Sequence, residues 1–220
     1  AAYMERADVE LIEAQTKYTQ GEFEEALTKC EDALAQSTDI EVSSLICVLE
    51  SEIYTEQEEY TKAADSAIRV TKFDSSKDAR RRAGSLAFEA GNHLEDTKEK
   101  NGWYEKARKY YETLCQDETC SYEDEMNYAL VLQALEKYSD SNVCLRKMRE
   151  EYPDDYKVLM WMCYNYLGIG NQKGSMAEVE SDLNFAYSSC KYLYSQDESM
   201  AGSSDEDMEK LNELMKQLEE

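Results

Sequence analysis

The chain has 220 residues with a single proline, eight glycines and a charged fraction of 33%, which leaves little material for the tight turns of a β protein and favours helices. Its 24 basic and 48 acidic side chains give a formal charge of −24 at pH 7, which disfavours nucleic acid and anionic membrane surfaces as partners. No stretch approaches the roughly 20 apolar residues that span a bilayer. The seven cysteines are odd in number and form no regular framework. These features predict reduced thiols, a cytoplasmic protein and no membrane insertion.

A packing pattern recurs along the chain: an aromatic residue, a small residue three positions later, and two further packing residues. The four sets are Phe23, Ala26, Cys30 and Ala33; Tyr60, Ala63, Ala67 and Val70; Tyr104, Ala107, Tyr111 and Leu114; and Tyr138, Ser141, Leu145 and Met148. Offsets of 3, 7 and 10 lie on one stripe of an α-helix, and the small residue lets a neighbouring helix approach closely. Successive small residues are 37, 44 and 34 positions apart, which indicates a repeat of about 34 residues with insertions.

These residues resemble the tetratricopeptide repeat (TPR) family, in which each unit is a pair of helices. The matching residues are Ala14, Gly21, Phe23, Ala26 and Ala33 in the first unit, and Ala129, Tyr138, Ser141 and Pro153 in the fourth. The run Trp103-Tyr104-Glu105-Lys106-Ala107 is similar to the Sel1-like repeat, a near alternative. The TPR resemblance implies an all-α, right-handed α-α superhelix of about five helix pairs.

The expected organisation is a solenoid over residues 1–196, followed by a polar, mobile linker at 197–203 and an amphipathic capping helix at 204–220. The units fall at about 5–38, 39–75, 76–119, 120–153 and 154–196. Unit three carries an extra stretch over 93–102. In unit five the aromatic and small positions are missing, so its second helix is predicted from amphipathicity alone.

The C-terminal helix is predicted to begin after Ser204, which serves as its cap. Its apolar stripe consists of Met208, Leu211, Leu214, Met215 and Leu218. A helix this short is marginal alone, so the stripe needs a surface to cover. Capping the end of the solenoid is one outcome; a homodimer through this helix, or occupation of the groove by it, are the alternatives.

The sequence predicts no enzyme, no catalytic residue, no metal site and no cofactor. His93 is the only histidine and has no identifiable nucleophile beside it. Cys115 and Cys120 lack the spacing and the second histidine of a metal site, although a redox pair is an alternative to simple packing. The segment Gly168-Ile169-Gly170 is interpreted as a helix-ending turn. The run Arg80-Arg81-Arg82 forms no flat basic patch, because consecutive helical residues point 100° apart.

In the TPR family the first helix of each unit lines a concave groove, and this resemblance implies a set of peptide-contacting residues. The candidates are Gln15, Tyr18, Glu52, Glu56, Arg81, Phe88, Met126, Gln133, Met160 and Tyr164. This mixture of aromatic, methionine and carboxylate side chains suits a peptide that carries apolar anchors and positive charge. Family members that clasp a chaperone's C-terminal carboxylate have a lysine and asparagines where this chain has Leu11, Gln15 and Leu49, so that partner is disfavoured.

The sequence therefore predicts a scaffold for protein-protein interactions that binds a protein or peptide in its groove. The alternative is a regulatory or sensory segment of a larger signalling protein, such as a kinase or transcription regulator. This second hypothesis rests on a chain that reads as helix almost from Ala1, as an excised piece of a longer protein does.

Overall fold

A computed structural model describes residues 6–116 and 119–220 of the chain. Within these residues the chain forms eleven α-helices and no strand, and helices follow one another in pairs. The predicted all-α helical repeat fold is therefore confirmed. The chain divides into two compact units, Ala1–Thr119 (unit 1) and Cys120–Glu220 (unit 2).

Unit 1 contains three antiparallel helix pairs built around small residues. Its helices are α1 (Arg6–Thr19), α2 (Phe23–Gln36), α3 (Ile40–Glu56), α4 (Tyr60–Val70), α5 (Lys77–Asn92) and α6 (Thr97–Leu114). Side chains from Asp39, Ser76 and Asp96 accept hydrogen bonds from the first amides of α3, α5 and α6, which supplies partners that a helix start otherwise lacks.

Unit 2 contains two further pairs and a final single helix. Its helices are α7 (Tyr122–Ala134), α8 (Tyr138–Glu151), α9 (Tyr156–Lys173), α10 (Glu180–Gln196) and α11 (Glu206–Glu219), with a 3-10 turn at Glu198–Met200. Pro153 follows the end of α8. Proline has no amide hydrogen to donate and therefore disfavours continuation of a helix.

The recurring packing pattern forms the contacts within and between the pairs. Every small and packing residue of the four sets is buried, and the aromatic residue that begins each set is buried or half-buried. Two of these aromatic rings lie against glycines of a facing helix: Tyr104 against Gly91 and Tyr138 against Gly168. A methyl group at Gly91 would stand 2.6 Å from the Tyr104 ring, so these glycines are needed for close approach.

One local prediction is wrong. The segment with Gly168 and Gly170 does not end a helix, because α9 continues to Lys173 and ends at Gly174 with a φ of 72°. The extra stretch of unit three, to which no secondary structure was assigned from the sequence, falls partly in a helix, because α6 begins at Thr97. The added residues therefore lengthen α6.

The last helix, α11, packs on α9 within unit 2. Three residues of its apolar stripe, Met208, Leu211 and Met215, are buried in the same cluster as residues of α9 and α10, while Leu218 stays 46% exposed. The cap of α11 is Asp205, not the predicted Ser204: its carboxylate accepts from the amides of Asp207 and Met208. An acidic cap also interacts favourably with the positive end of the helix dipole.

No helix in the described residues has the length and apolarity to cross a membrane. Cys30, Cys47, Cys144, Cys163 and Cys190 are free thiols, and Cys115 and Cys120 are disulfide-bonded. The expectation of uniformly reduced cysteines is wrong for these two.

Candidate functional site

An open cleft lies on the face of unit 1 formed by α1, α3 and α5, the first helices of the three pairs. It has a volume of about 320 Å³. Its lining residues are Tyr18, Ser51, Glu52, Thr55, Glu56, Arg82, Ser85 and Leu86. Three of the ten residues predicted to contact a peptide, Tyr18, Glu52 and Glu56, thus come together in one place.

The register of α3 sets the chemistry of this cleft. Glu52 and Glu56 are one helical turn apart, so both carboxylates lie on the same exposed face. In the described part of the chain neither forms an ion pair with a basic side chain. Two like charges at this spacing repel by a few tenths of a kcal/mol, roughly. The cleft therefore carries two carboxylates and one cation, Arg82, and within the described residues neither carboxylate is at ion-pair distance from that cation.

Tyr18 brings an aromatic surface next to these carboxylates. Its ring is half-buried and packs on Phe23 with centroids 5.8 Å apart. Partial burial raises the pKa of the Tyr18 hydroxyl above its ordinary value, and the charges of Glu56 and Glu52 raise it further. The hydroxyl therefore stays protonated and can donate a hydrogen bond.

The three consecutive arginines of α5 point to different surroundings, as their 100° spacing predicts. Arg81, the candidate named from sequence, donates to Asp78 at 2.7 Å and does not line the cleft. Arg82 lines the cleft in its place. Arg80 lines a second cleft on another side of unit 1. The family motif thus identified the neighbour of the arginine that lines the cleft.

Two other candidates of unit 1 lie outside the cleft lining. Gln15 is exposed on α1. Phe88 is half-buried and packs edge-on against Tyr104, with ring centroids 5.6 Å apart. Phe88 therefore contacts the second helix of its own pair.

The four candidates of unit 2 take part in the unit's own packing. Met126 and Met160 are 8% and 1% exposed and belong to the core cluster. Gln133 donates to the Asn165 side chain at 2.9 Å and to the Trp161 carbonyl at 3.3 Å. The Tyr164 hydroxyl donates to the Asp207 carbonyl of α11 at 2.6 Å. Tyr164 thus joins α9, one of the two first helices of unit 2, to α11.

No group of three or more His, Cys, Asp and Glu side chains with the arrangement of a metal site occurs in residues 6–116 and 119–220. His93 stacks on Tyr60 with ring centroids 4.0 Å apart, and its Nδ1 lies 2.9 Å from the Glu89 carbonyl oxygen. These contacts give the histidine a role in packing at the end of α5.

Comparison with known proteins identifies the fold only. No protein-family model matches the sequence, and no curated protein matches it. Among solved structures, MamA designated MSR-1 C2 has a TM-score of 0.60 at 12% identity, over 87% of this chain and 98% of that one. MamA from Desulfovibrio magneticus RS-1, residue 41 to the end, has a TM-score of 0.59 at 14% identity, over 90% and 99%. A further MamA crystal structure gives 0.58 at 15% identity, over 89% and 93%. The similarity agrees with a TPR-like helical repeat.

Proposed function

We propose that this protein is an interaction scaffold without enzymatic activity, and that it binds a basic segment of a partner protein in the cleft between α1, α3 and α5. The single observation that carries this proposal is the pair of unpaired carboxylates, Glu52 and Glu56, beside the half-buried ring of Tyr18. The likeness of the fold to MamA, a TPR-like helical repeat, supports the general scaffold role.

The ligand we infer is a short peptide with lysine or arginine next to an apolar side chain. Glu52 and Glu56 accept hydrogen bonds from the cationic group, and such charge-assisted bonds are among the strongest that peptide recognition uses. The Tyr18 ring offers a surface for a cation or an aliphatic stem. Leu86 supplies apolar contact, and the hydroxyls of Ser85 and Thr55 are available to peptide carbonyls and amides.

Unit 2 contributes differently under this proposal. A homodimer through the C-terminal stripe requires Met208, Leu211 and Met215, which are already buried in their own unit. We therefore assign α11 the role of a cap and unit 1 the binding role. No comparison favours the alternative of a regulatory segment in a signalling protein.

The proposal is tested with a fluorescein-labelled peptide that has two arginines on each side of one leucine. Glu52→Gln combined with Glu56→Gln is expected to weaken its Kd about tenfold or more, as loss of close charge pairs does. The matched control is Glu209→Gln with Glu213→Gln on α11. This pair is equally exposed and has the same spacing, and it lies outside the cleft.

Fluorescence anisotropy gives the Kd, and circular dichroism checks that each variant keeps its helicity. Equal affinities for both double variants would overturn the assignment of the cleft, because the change in net charge is the same in both. Absence of binding to the unaltered protein would overturn the proposed ligand.

A further inference from the structure

The middle of unit 1 departs from the acidic character of the chain. Residues 62–109 contain 12 of the 24 lysines and arginines but only 8 of the 48 acidic residues, which gives a local net charge of +4 against −24 for the whole chain. This segment spans α4, α5 and most of α6. Positive charge is therefore concentrated on one part of unit 1.

A second cleft, of about 430 Å³, opens within this segment. Its lining residues are Asp65, Ile68, Arg80, Lys106, Lys109, Tyr110 and Thr113. It shares no residue with the cleft between α1, α3 and α5. We call this second site the basic cleft, because three cations and one carboxylate line it.

The cations of the basic cleft differ from their neighbours in how they are paired. Arg108, also on α6, donates to Glu105 at 2.8 Å and to Glu112 at 2.9 Å. Arg81, next to Arg80, donates to Asp78 at 2.7 Å. The surrounding arginines are thus neutralised by carboxylates of their own helices.

Within the described residues, none of the three cations that line the basic cleft forms an ion pair. Arg80 has only a long hydrogen bond, 3.5 Å from its Nε to the Ser76 carbonyl. Lys106 lies over the ring of Trp103, with Nζ 4.2 Å from the centroid. Lys109 is exposed. These groups keep their charge available to an anionic ligand.

The basic cleft also has apolar and hydrogen-bonding surface. Ile68 and the ring of Tyr110 supply the apolar part, and the Tyr110 hydroxyl lies 3.3 Å from the Thr71 hydroxyl. A bare inorganic anion would leave this apolar surface uncovered. A long polyanion such as nucleic acid would meet the field of a chain with a net charge of −24.

We propose that the basic cleft binds an acidic segment of a partner protein, with carboxylates at Arg80, Lys106 and Lys109 and one aromatic or aliphatic side chain on Ile68 and Tyr110. Charge complementarity selects the acidic residues of the segment, and the apolar pair selects its anchor. Unit 1 then presents two sites of opposite preference, one for a basic segment and one for an acidic segment. A scaffold with this arrangement can hold two different partners.

The probe for this proposal is a fluorescein-labelled peptide of five glutamates with one phenylalanine at its centre. Lys109→Glu is expected to weaken its Kd about tenfold or more. The matched control is Lys98→Glu, an exposed lysine of the same helix that does not line the basic cleft, which is expected to change the Kd less than about twofold. Arg80→Gln provides a second variant on α5, and circular dichroism checks folding.

A peptide with glutamine in place of glutamate is expected not to bind, and the variant with Glu52→Gln and Glu56→Gln is expected to bind the acidic probe as well as the unaltered protein does. Failure of this proposal is thereby distinct from failure at the cleft of α1, α3 and α5.

Equal effects of Lys98→Glu and Lys109→Glu would overturn the site. Full displacement of the probe by millimolar inorganic phosphate would reassign it to small anions. Loss of a dimer in Lys109→Glu, seen by sedimentation velocity, would reassign it to a second copy of the chain.

Discussion

In each unit the first helices of the pairs form a surface. This surface is an open cleft in unit 1, and in unit 2 part of it contacts α11. In unit 1, the face of α1, α3 and α5 is an open cleft with Glu52 and Glu56 on its wall. In unit 2, α9 is packed against α11, whose Met208 and Leu211 join the core cluster. Under the proposed function, the open face of unit 1 is the one accessible to a ligand, whereas Tyr164 on the unit 2 face is hydrogen-bonded to α11.

The polar residues of the two faces differ in the same way. In unit 2, Asn165 is fully buried and donates to Ser141 at 2.8 Å and to Asn142 at 2.9 Å, while Gln133 donates to it. A buried amide with these partners fixes the packing of α7, α8 and α9 and offers nothing to a ligand. In unit 1 the polar residues of the face include the exposed carboxylates of Glu52 and Glu56 and the cation of Arg82. Recognition is therefore expected in unit 1 and stability in unit 2.

The largest effect is expected from removal of the apolar contact that covers unit 2. Leu211→Ala is expected to lower the free energy of unfolding by about 2–5 kcal/mol, because Leu211 is 0% exposed and its loss leaves a cavity. The control is Leu218→Ala in the same helix, which is 46% exposed and is expected to cost about 1 kcal/mol or less. Urea unfolding measures both. A similar cost for the two variants would contradict the docking of α11.

A second prediction concerns a packing device that both units share. Gly91→Ala in unit 1 and Gly168→Ala in unit 2 are each expected to destabilise the protein by about 1–3 kcal/mol, because the new methyl group overlaps the ring of Tyr104 or Tyr138. Gly102→Ala is the control: among the described residues, no atom beyond its chain neighbours and the backbone of its own helix lies within 4 Å of the added methyl group, and the change is expected to stabilise α6 by about 0.5–1 kcal/mol. Thermal unfolding measures the stability of the three variants relative to the unaltered protein. Stabilisation by Gly168→Ala would show that the ring does not lie where the structure places it.

A smaller effect is expected at the hydrogen bond between α9 and α11. Tyr164→Phe removes the donor to the Asp207 carbonyl and is expected to cost about 0.5–1.5 kcal/mol. Hydrogen exchange of the α11 amides is expected to become faster, since local opening exposes them. Tyr192→Phe, at a residue 65% exposed, is the control. Unchanged hydrogen exchange in Tyr164→Phe would show that this hydrogen bond does not protect α11 from local opening.

The smallest effect is a pH dependence that the two units share. Burial raises the pKa of Glu50 in unit 1 and of Glu125 in unit 2, although Arg69 and Lys147 each lie 3.6 Å from the respective carboxylate. A folded-state pKa above the unfolded one means that the folded state binds the proton more tightly than the unfolded state. The free energy of unfolding therefore falls as pH rises through the folded-state pKa. Glu50→Gln and Glu125→Gln are therefore expected to gain stability relative to the unaltered protein between pH 4 and pH 7.

Urea unfolding at several pH values measures this gain. Unit 2 is expected to show the larger one, because Glu125 Oε2 has no hydrogen-bond partner among the described residues, whereas Glu50 Oε2 lies 3.4 Å from the Ser66 hydroxyl. Glu209→Gln, at an exposed position, is the control. A relative loss of stability in either buried variant as pH rises would contradict the direction of both shifts.

The repeat was predictable because it depends on local spacing. The set Phe23, Ala26, Cys30 and Ala33 gives the buried side of α2 directly, since side chains at such offsets share one helix face. Tyr18, Glu52 and Glu56 were implied by the resemblance to the TPR motif. Periodicity and composition therefore predict a repeat of helices, and the resemblance adds the TPR-like fold and the groove candidates.

Features that depend on contacts across the fold were not predictable. Glycine is common at helix ends, and Gly168 was interpreted as part of one. The side chain that it accommodates is that of Tyr138, 30 residues away in sequence. Met160 is buried in a core cluster that also contains Met208, Leu211 and Met215 of α11, and no local pattern shows where a short helix docks. Arg82 rather than Arg81 lines the cleft, because this depends on which side of α5 is turned to α1 and α3 in the fold. The basic cleft combines three helices, so the run of arginines gave no sign of it.

The most direct test of the central claim is a nitrogen-15 NMR titration of the protein with the arginine-leucine peptide. The account predicts shifts for amides of α1, α3 and α5 around Tyr18, Glu52 and Glu56, with little change in α7, α9 and α11. Shifts centred on Gln133 and Tyr164, accompanied by loss of the α11 signals from their folded positions, would contradict it. That result would mean that the ligand displaces α11 and binds the surface of α9 against which α11 packs.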